Sequence, residues 1–369
     1  TTNGSRHRYT LTYDGPRYPS TDTEIARWST STLFPAVTKR VKAGTGYDIA
    51  PYGNFDKDRT RWETYPASPR YGVQYFALCG RVGVLSESYS YAPFKDRIEA
   101  TRAFVTACLE VAAEKKPDLA RLVEPERGNK VALRTQTTAF PEKLQVLGFK
   151  ERLKDGTPVP TEEHTNYALD FVARVAVSES AEVPYAYLVP AGETAVIENL
   201  QRHGIAVEEL REDVALAVAG LVVSGVEVKE AGFPKKHRLT EVSGRWVDGT
   251  RPVPAGTVVV KTAQPRGALA AHLLEPRSED GLTAWGLFNG ALAPGKGFPV
   301  LRLTKGVPLA LGPAPKLPEA RRANQPVTEA QLLTRGGAFT FGFAGAPLTQ
   351  GAWIDGDHFL QVKEGKLLR

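Results

Sequence analysis

Residues 82–101 read VGVLSESYSYAPFKDRIEAT, and the fold of the first part of the chain can be predicted outward from this stretch. Val82, Val84 and Leu85 are the apolar residues of a strand. Serines alternate with other residues directly after them, as expected where a strand reaches an open cleft. Pro93 then separates this strand from residues with helical spacing. The stretch therefore predicts a strand that ends in small polar residues and is followed at once by a helix.

The flanking residues predict more helices and strands. Apolar residues recur at helical spacing over 94–116, and Pro117 ends that helix. Residues 71–90 alternate apolar and polar side chains and are predicted to form a strand. Residues 22–40 are predicted to form a helix with a break at Pro35. We therefore expect residues 1–118 to be an α/β domain with a mixed sheet.

From Arg121 onward the pattern changes to short strands, which predicts a mainly-β domain with short helices over 119–305. A Pro/Ala/Arg-rich linker is expected at 306–337, followed by a truncated β-hairpin at 338–369. The two predicted helices are 193–203 and 267–274. The predicted strands are 130–138, 167–177, 184–189, 214–228 and 257–262.

Composition narrows the classes of function. The chain has 369 residues and a net charge of +6 that is spread without a basic run, so nucleic acid is not an expected partner. The longest apolar stretch, 214–228, is interrupted by glycines, a serine and a glutamate, so no membrane span is expected. Cys79 and Cys108 are expected to be free thiols, on a buried strand and a helix. Because the chain contains no Met and opens on Thr1 without a signal peptide, we expect it to be a piece of a longer protein.

The stretch at 82–101, taken with TTNGSRHRYTLTY at 1–13 and YGNFD at 52–56, resembles bacterial members of the carboxypeptidase A-like family of zinc metallopeptidases. The resemblance implies that residues 1–118 are the C-terminal part of that catalytic domain. Residues 119–305 resemble the β-rich region that follows it. In this family a His-x-x-Glu pair and a later His hold zinc, and a Glu at a strand end is the general base.

Glu87 occupies the position of that general base. Zinc lowers the pKa of its bound water to about 7, and a carboxylate nearby must accept the proton and pass it to the leaving amine. A strand end holds such a carboxylate in place. Without the surrounding motif, the same residue is interpreted as an exposed strand-end Glu that caps the next helix.

The resemblance also implies a Tyr that contacts the substrate from a loop. Tyr65 lies 22 residues before Glu87, in TYPASPRYG, and is the best match; a surface aromatic packed on a turn is the alternative. Arg70 and Arg81 are candidates for neutralising a substrate carboxylate, although such arginines often pair with surface acids. His7, in SRHRY, is expected to line the cleft without binding metal.

The zinc ligands are where the chain departs from the family. The third ligand of the relatives would immediately precede Thr1, and the His-x-x-Glu pair would lie further upstream. We therefore expect zinc in the parent enzyme, but no zinc bound to this chain alone. His272 and Glu275 have His-x-x-Glu spacing, but they follow Glu87 by more than 180 residues and have no further His nearby in sequence, so a metal site there is a minor alternative.

Two functional hypotheses remain open. In the first, the chain is a fragment of a secreted or cell-envelope metallocarboxypeptidase that cleaves C-terminal peptide bonds of peptides or proteins. That fragment would need the N-terminal catalytic portion, or self-association, to cover its exposed strands. In the second, the chain is a non-catalytic binding or scaffold protein that works through the β-rich domain. Residues 351–369 are also similar to the first strands of a dipeptidyl-peptidase IV-like propeller.

Overall fold

The computed structural model of the chain describes residues 6–19, 23–122, 128–154, 157–230, 237–314, 351–353, 359–363 and 366–368. The chain divides into two compact units, Thr1–Pro315 and Lys316–Arg369. Within the described residues, the helices are α1 (Thr23–Trp28), α2 (Phe34–Thr45), α3 (Gly72–Leu78), α4 (Phe94–Glu114), α5 (Lys116–Leu122), α6 (Thr194–Arg202) and α7 (Gly267–Leu274), with a π-helical turn at Ser29–Leu33.

The strands lie in four sheets. They are β1 (Leu11–Asp14), β2 (Ile49–Pro51), β3 (Asn54–Phe55), β4 (Arg61–Glu63), β5 (Leu85–Ser88), β6 (Lys130–Lys154), β7 (Thr157–Glu182), β8 (Ala186–Val189), β9 (Glu208–Leu210), β10 (Val214–Glu230), β11 (Arg238–Val253), β12 (Val258–Lys261), β13 (Gly297–Leu303), β14 (Leu311–Pro313), β15 (Gly351–Trp353), β16 (Phe359–Lys363) and β17 (Lys366–Leu368). The fold-class prediction is confirmed, because a helix-covered mixed sheet precedes a large antiparallel sheet.

The small mixed sheet has the order β2-β1-β5. β2 runs parallel to β1, whereas β5 runs antiparallel to it. Tyr13 is buried on the helical side, where its ring stacks on that of Phe34 with the centroids 4.6 Å apart. Side chains alternate along a strand, so the side chains of Thr12 and Asp14 face away from these helices. This sheet therefore presents one face to the helices and the other to the rest of the first unit.

The helix predicted at 22–40 does not break at Pro35. Instead α1 continues through the π-helical turn into α2, and Pro35 lies in the first turn of α2. The π-helical turn lies directly before Pro35, and in it the Phe34 N–H donates to the Ser29 carbonyl instead of the Thr30 carbonyl. The Ser29 hydroxyl bonds to the Ile25 carbonyl at 2.8 Å, within the segment where the helix widens.

The strand predicted at 71–90 is wrong over most of its length. Residues 72–78 form α3, and only Leu85–Ser88 form a strand. Val73, Ala77 and Leu78 are buried at helical spacing, so both periods fit this short stretch and tertiary packing decides between them. Cys79 consequently ends a helix rather than lying in a strand. It and Cys108 are both free thiols, as expected.

The long helix predicted at 94–116 is confirmed as α4, which ends at Glu114 ahead of Pro117. One side of α4 packs on α2 and on the small sheet through its buried residues. Another side exposes large apolar side chains. The buried residues are Ala100, Phe104, Ala107 and Val111; the exposed ones are Phe94, Ile98, Val105 and Leu109.

The strands predicted at 130–138 and 167–177 belong to a much longer hairpin. β6 has 25 residues and β7 has 26, and their register shifts at several points. Three prolines and two glycines interrupt the alternation between the predicted strands, which is why the sequence pattern ends each strand early. β7 also pairs in parallel with β4, so this sheet has the order β3-β4-β7-β6.

The predicted β-rich region contains a seven-stranded sheet of order β11-β10-β13-β8-β12-β9-β14. The strands predicted at 184–189, 214–228 and 257–262 are confirmed as β8, β10 and β12, and the two predicted helices as α6 and α7. A core cluster joins both helices to the sheet through residues such as Leu200 and Val260. Gly204 follows α6 with φ of +66°, a conformation that favours glycine after a helix.

Polar contacts tie the segments before and after residue 118 together. The Tyr18 hydroxyl donates to the Ala132 carbonyl at 2.8 Å, and the Tyr75 hydroxyl lies 2.8 Å from Nδ1 of His203. The domain boundary at 118/119 stays a prediction.

In the second unit, β15, β16 and β17 form an antiparallel sheet. Most of the predicted linker at 306–337 lies outside the described residues.

Candidate functional site

Glu87 lies on β5, at the edge of the small mixed sheet. It pairs with Thr12 on β1 and is half-buried. Its neighbour Ser88 faces α4, since the Ser88 hydroxyl lies 2.5 Å from that of Thr101. Because side chains alternate along a strand, the Glu87 carboxylate projects from the opposite face. The structure therefore holds this carboxylate on a strand, as the sequence predicted.

Tyr65 lies on the loop between β4 and α3, and its ring is packed rather than free. The Arg17 guanidinium lies 5.0 Å from the ring centroid and donates to the Tyr65 carbonyl at 3.0 Å. Burial and a hydrogen bond to the Asp14 carboxylate raise the pKa of the Tyr65 hydroxyl. Asp14 is two residues from Thr12 on β1, so its side chain shares the face of the sheet that carries Glu87. Tyr65 and Glu87 are thus associated with the same face.

Arg70 forms an ion pair with a buried carboxylate of the fold. Its guanidinium lies 2.8 Å from the Asp280 carboxylate, whose side chain is only 2% exposed. Its backbone N–H also donates to Asp280 at 3.0 Å. This pair joins the loop before α3 to the region after α7. Arg81 is exposed, and its guanidinium donates to the adjacent Gly80 carbonyl at 3.1 Å.

His7 lies in a buried aromatic cluster. The residue is 2% exposed, and its ring centroid lies 4.1 Å from that of Tyr89 and 5.8 Å from that of Trp62. Its Nδ1 accepts the Tyr9 backbone N–H at 3.3 Å. Burial lowers the pKa of His7 to about 4, so the ring is neutral at neutral pH. The side chain is enclosed here, whereas the sequence interpretation placed it on a cleft wall.

His272 and Glu275 point to different partners despite their spacing. Glu275 follows the last residue of α7 and has an extended backbone, so the two side chains do not share a helical face. The Glu275 carboxylate accepts from Arg302 Nε and from the Tyr187 hydroxyl, both at 2.7 Å. Nδ1 of His272 lies 2.9 Å from the Ser278 hydroxyl. Each side chain is satisfied by the core.

The described residues do not fit a zinc site, because they contain no group of three or more His, Cys, Asp or Glu side chains that can hold a metal. Across the same residues, no helix is long and apolar enough to cross a membrane.

One cleft of the first unit was not predicted from the sequence. It has a volume of about 960 Å³ and opens where β1 and β2 end, between the helical layer and the β6–β7 hairpin. Ligands often bind at the carboxyl ends of parallel strands. The signal available in the sequence was Asp14-Gly-Pro-Arg17 directly after an apolar strand. Glu87, Tyr65, Arg70, Arg81 and His7 do not line this cleft.

The chain is similar over part of its length to three proteins named Carboxypeptidase 2. It is 28% identical over 146 residues to Carboxypeptidase 2 of Trichophyton equinum, 27% identical over 146 residues to that of Trichophyton tonsurans, and 26% identical over 140 residues to that of Trichophyton rubrum. Each match covers 37% of this chain and 26% of the relative, so the chain spans about a quarter of the length of these relatives. No protein-family model and no solved structure matches the chain. The relationship is therefore carboxypeptidase-like, and membership of the bacterial zinc family stays a prediction.

Proposed function

We propose that this chain is part of a carboxypeptidase-like hydrolase that cleaves the C-terminal bonds of peptides or proteins, with Glu87 as its general base and Tyr65 as a substrate contact. The observation that carries the proposal is the strand-held carboxylate of Glu87, on the sheet face with which Tyr65 is associated. The three relatives named Carboxypeptidase 2 support the class of reaction.

The role of Glu87 follows from general acid–base chemistry. A carboxylate held by backbone pairing accepts a proton from the water that attacks the scissile carbonyl. The same group then returns the proton to the nitrogen of the leaving amino acid. Of the predicted substrate-binding residues, the exposed Arg81 is the one whose guanidinium is open to a substrate carboxylate. Arg70 neutralises the Asp280 carboxylate instead, and His7 is enclosed by aromatic rings.

Zinc enters the proposal as a property of the parent enzyme, held by residues outside the described part of this chain.

A partner surface belongs to the same proposal. β5 is an edge strand of its sheet within the described residues, and edge strands pair readily with further strands. On α4 next to β5, the side chains of Phe94, Val105 and Leu109 are 53%, 47% and 66% exposed. The remaining catalytic portion or a second copy of the chain covers this surface, in a secreted or cell-envelope enzyme.

The test is Glu87→Gln in the complete gene product, assayed on an N-blocked dipeptide with a free C-terminal carboxylate. We expect kcat to fall by about 10²- to 10⁴-fold, the contribution typical of a general base, while zinc content measured by elemental mass spectrometry is unchanged. Glu110→Gln is the matched control, since Glu110 is an exposed glutamate on α4 that pairs with Arg40 at 3.1 Å.

Two results would contradict the proposal. Full activity of Glu87→Gln removes Glu87 from the mechanism. A complete gene product that binds no zinc and cleaves neither the dipeptide nor a protein C-terminus favours the alternative, a binding or scaffold protein that works through the β-rich region.

A further inference from the structure

A cleft opens at the ends of β1 and β2, and Glu87 does not line it. Its walls are α1 and α2 on one side and residues of β6 and β7 on the other, and its volume is about 960 Å³. Pockets of about 300 to 1,000 Å³ are typical of small-molecule sites. The cleft is therefore large enough for a ligand with an extended apolar body.

Aromatic rings line both sides of this cleft. Tyr13 and Phe34 stack in its inner part, with their centroids 4.6 Å apart. Phe140 and Phe171 stack on the hairpin side at 5.4 Å, and Phe140 is 41% exposed. An exposed aromatic next to other apolar lining residues favours an apolar ligand, because ring surface is then removed from water on binding.

The charged residues of the cleft leave an excess of positive charge. Arg17 pairs with Asp14 at 3.0 Å, Lys42 with Asp48 at 2.9 Å, and Lys143 with Asp170 at 2.9 Å. Three further cations line the cleft from α1, α2 and β7, and none of them has an acidic partner among the described residues. Among the described lining residues, Glu142 is the one acidic side chain besides Asp14 and Asp48. These cations are Arg27, Lys39 and Arg174.

We propose that this cleft binds a small amphipathic carboxylate, whose apolar tail contacts the Phe140–Phe171 pair and whose anionic head lies among Arg27, Lys39 and Arg174. Charge complementarity selects the anionic head, and the aromatic lining selects the tail. The inference goes beyond the proposed hydrolase activity and does not depend on it, because neither Glu87 nor Tyr65 lines the cleft.

The test is calorimetric titration of the full chain with dodecanoate below its micelle concentration, with dodecanol as the neutral comparison. We expect saturable binding of dodecanoate at least tenfold tighter than that of dodecanol. The triple variant Arg27→Gln, Lys39→Gln, Arg174→Gln should weaken dodecanoate at least tenfold and leave dodecanol unchanged. All three cations are neutralised together because single exposed charge contacts contribute little.

Two further variants separate the cleft from general effects of charge. Lys57→Gln, Arg102→Gln, Lys116→Gln removes the same charge from exposed residues outside the cleft, and its affinity should stay within twofold of the parent chain. Val175→Trp fills the cleft from β7 and should abolish binding, with circular dichroism showing that the chain remains folded.

The inference is overturned if dodecanoate shows no saturable binding, if dodecanol binds equally well, or if both triple variants bind alike. A Glu87→Gln chain that still binds dodecanoate normally keeps this result independent of the proposed hydrolase.

Discussion

The carboxylates of the small mixed sheet and of the β-rich region differ in how far they are buried and paired. On the small sheet, Glu87 is half-buried on an edge strand, and a cleft of about 960 Å³ opens at the ends of β1 and β2. In the β-rich region, Glu275 is 1% exposed and is bonded to Arg302 and Tyr187. Solvent access, rather than residue type or spacing, separates a candidate catalytic carboxylate from one that stabilises the core.

Breaking the Glu275–Arg302 pair should reduce stability more than any other change considered below. Arg302→Met leaves a buried carboxylate without its cation, and we expect a loss of about 3 kcal/mol in the free energy of unfolding. Urea denaturation at pH 7.5 measures it. Arg202→Met is the matched control, because Arg202 is 71% exposed and pairs with Glu198 within α6; its cost should stay below about 1 kcal/mol.

A double variant sharpens the same point. Arg302→Met with Glu275→Gln removes both charges and keeps an acceptor for the Tyr187 hydroxyl. It should recover most of the stability lost by Arg302→Met alone. Equal losses in the single and double variants would show that the buried charge is not the cause.

The next effect is a dependence of stability on pH at Glu279, in the turn after α7. Burial raises the pKa of Glu279 to about 7, against 4.5 for the ordinary side chain. The folded state therefore holds this proton more tightly, and the contribution is complete below about pH 4.5 and lost as pH rises through 7. Glu279→Gln should remove that loss and exceed the parent chain by about 2 kcal/mol at pH 8, after allowance for partial exposure.

Glu241→Gln is the control, because the dependence of stability on pH at Glu241 has the opposite sign. Hydrogen bonding to Lys229 lowers the pKa of Glu241, so its contribution is present above the ordinary pKa and is lost as pH falls. This variant should be less stable than the parent chain at pH 8. The difference in the free energy of unfolding between Glu279→Gln and the parent chain should grow from pH 5 to pH 8. An equal difference at both pH values would contradict the raised pKa of Glu279.

The smallest effect on stability is expected at the apolar surface of α4. Leu109 is 66% exposed, so Leu109→Ser should change the free energy of unfolding by less than about 0.5 kcal/mol. Self-association measured by sedimentation velocity should weaken instead, whereas Thr106→Ser on the same helix should leave both unchanged. A chain that stays monomeric at all concentrations, with residues 73–85 as protected from hydrogen exchange as the seven-stranded sheet, would contradict the need for a partner.

Prediction of the fold succeeded where one periodicity dominated. α4, α6 and α7 combine helical spacing with clear ends, Pro117 after α4 and Gly204 after α6. Prediction failed at 71–90, where α3 buries Leu78 in a core cluster with residues distant in sequence, such as Val131 and Leu200. It also shortened the β6–β7 hairpin, because prolines interrupt the alternation but the strands pair across register shifts.

The candidate site, like the fold, could be predicted only where it depends on residues close together in sequence. The strand position of Glu87 followed from local pattern, and the structure agrees with it. The partner of Arg70 lies 210 residues away, at Asp280, so no local pattern indicates that its guanidinium is taken. His7 likewise meets Trp62 and Tyr89 only after the chain has folded.

Local patterns along the chain were enough to predict the class of fold, the long helix α4, the strand that carries Glu87 and the likeness to carboxypeptidases. These depend on neighbouring residues along the chain, since periodicity and end signals are local. Long-range packing in the folded chain sets which charged residues are buried in pairs, directs His272 and Glu275 to different partners, and opens a positively charged cleft beside Asp14. Burial and pairing join residues far apart in sequence, and they set the cost and availability of each charge.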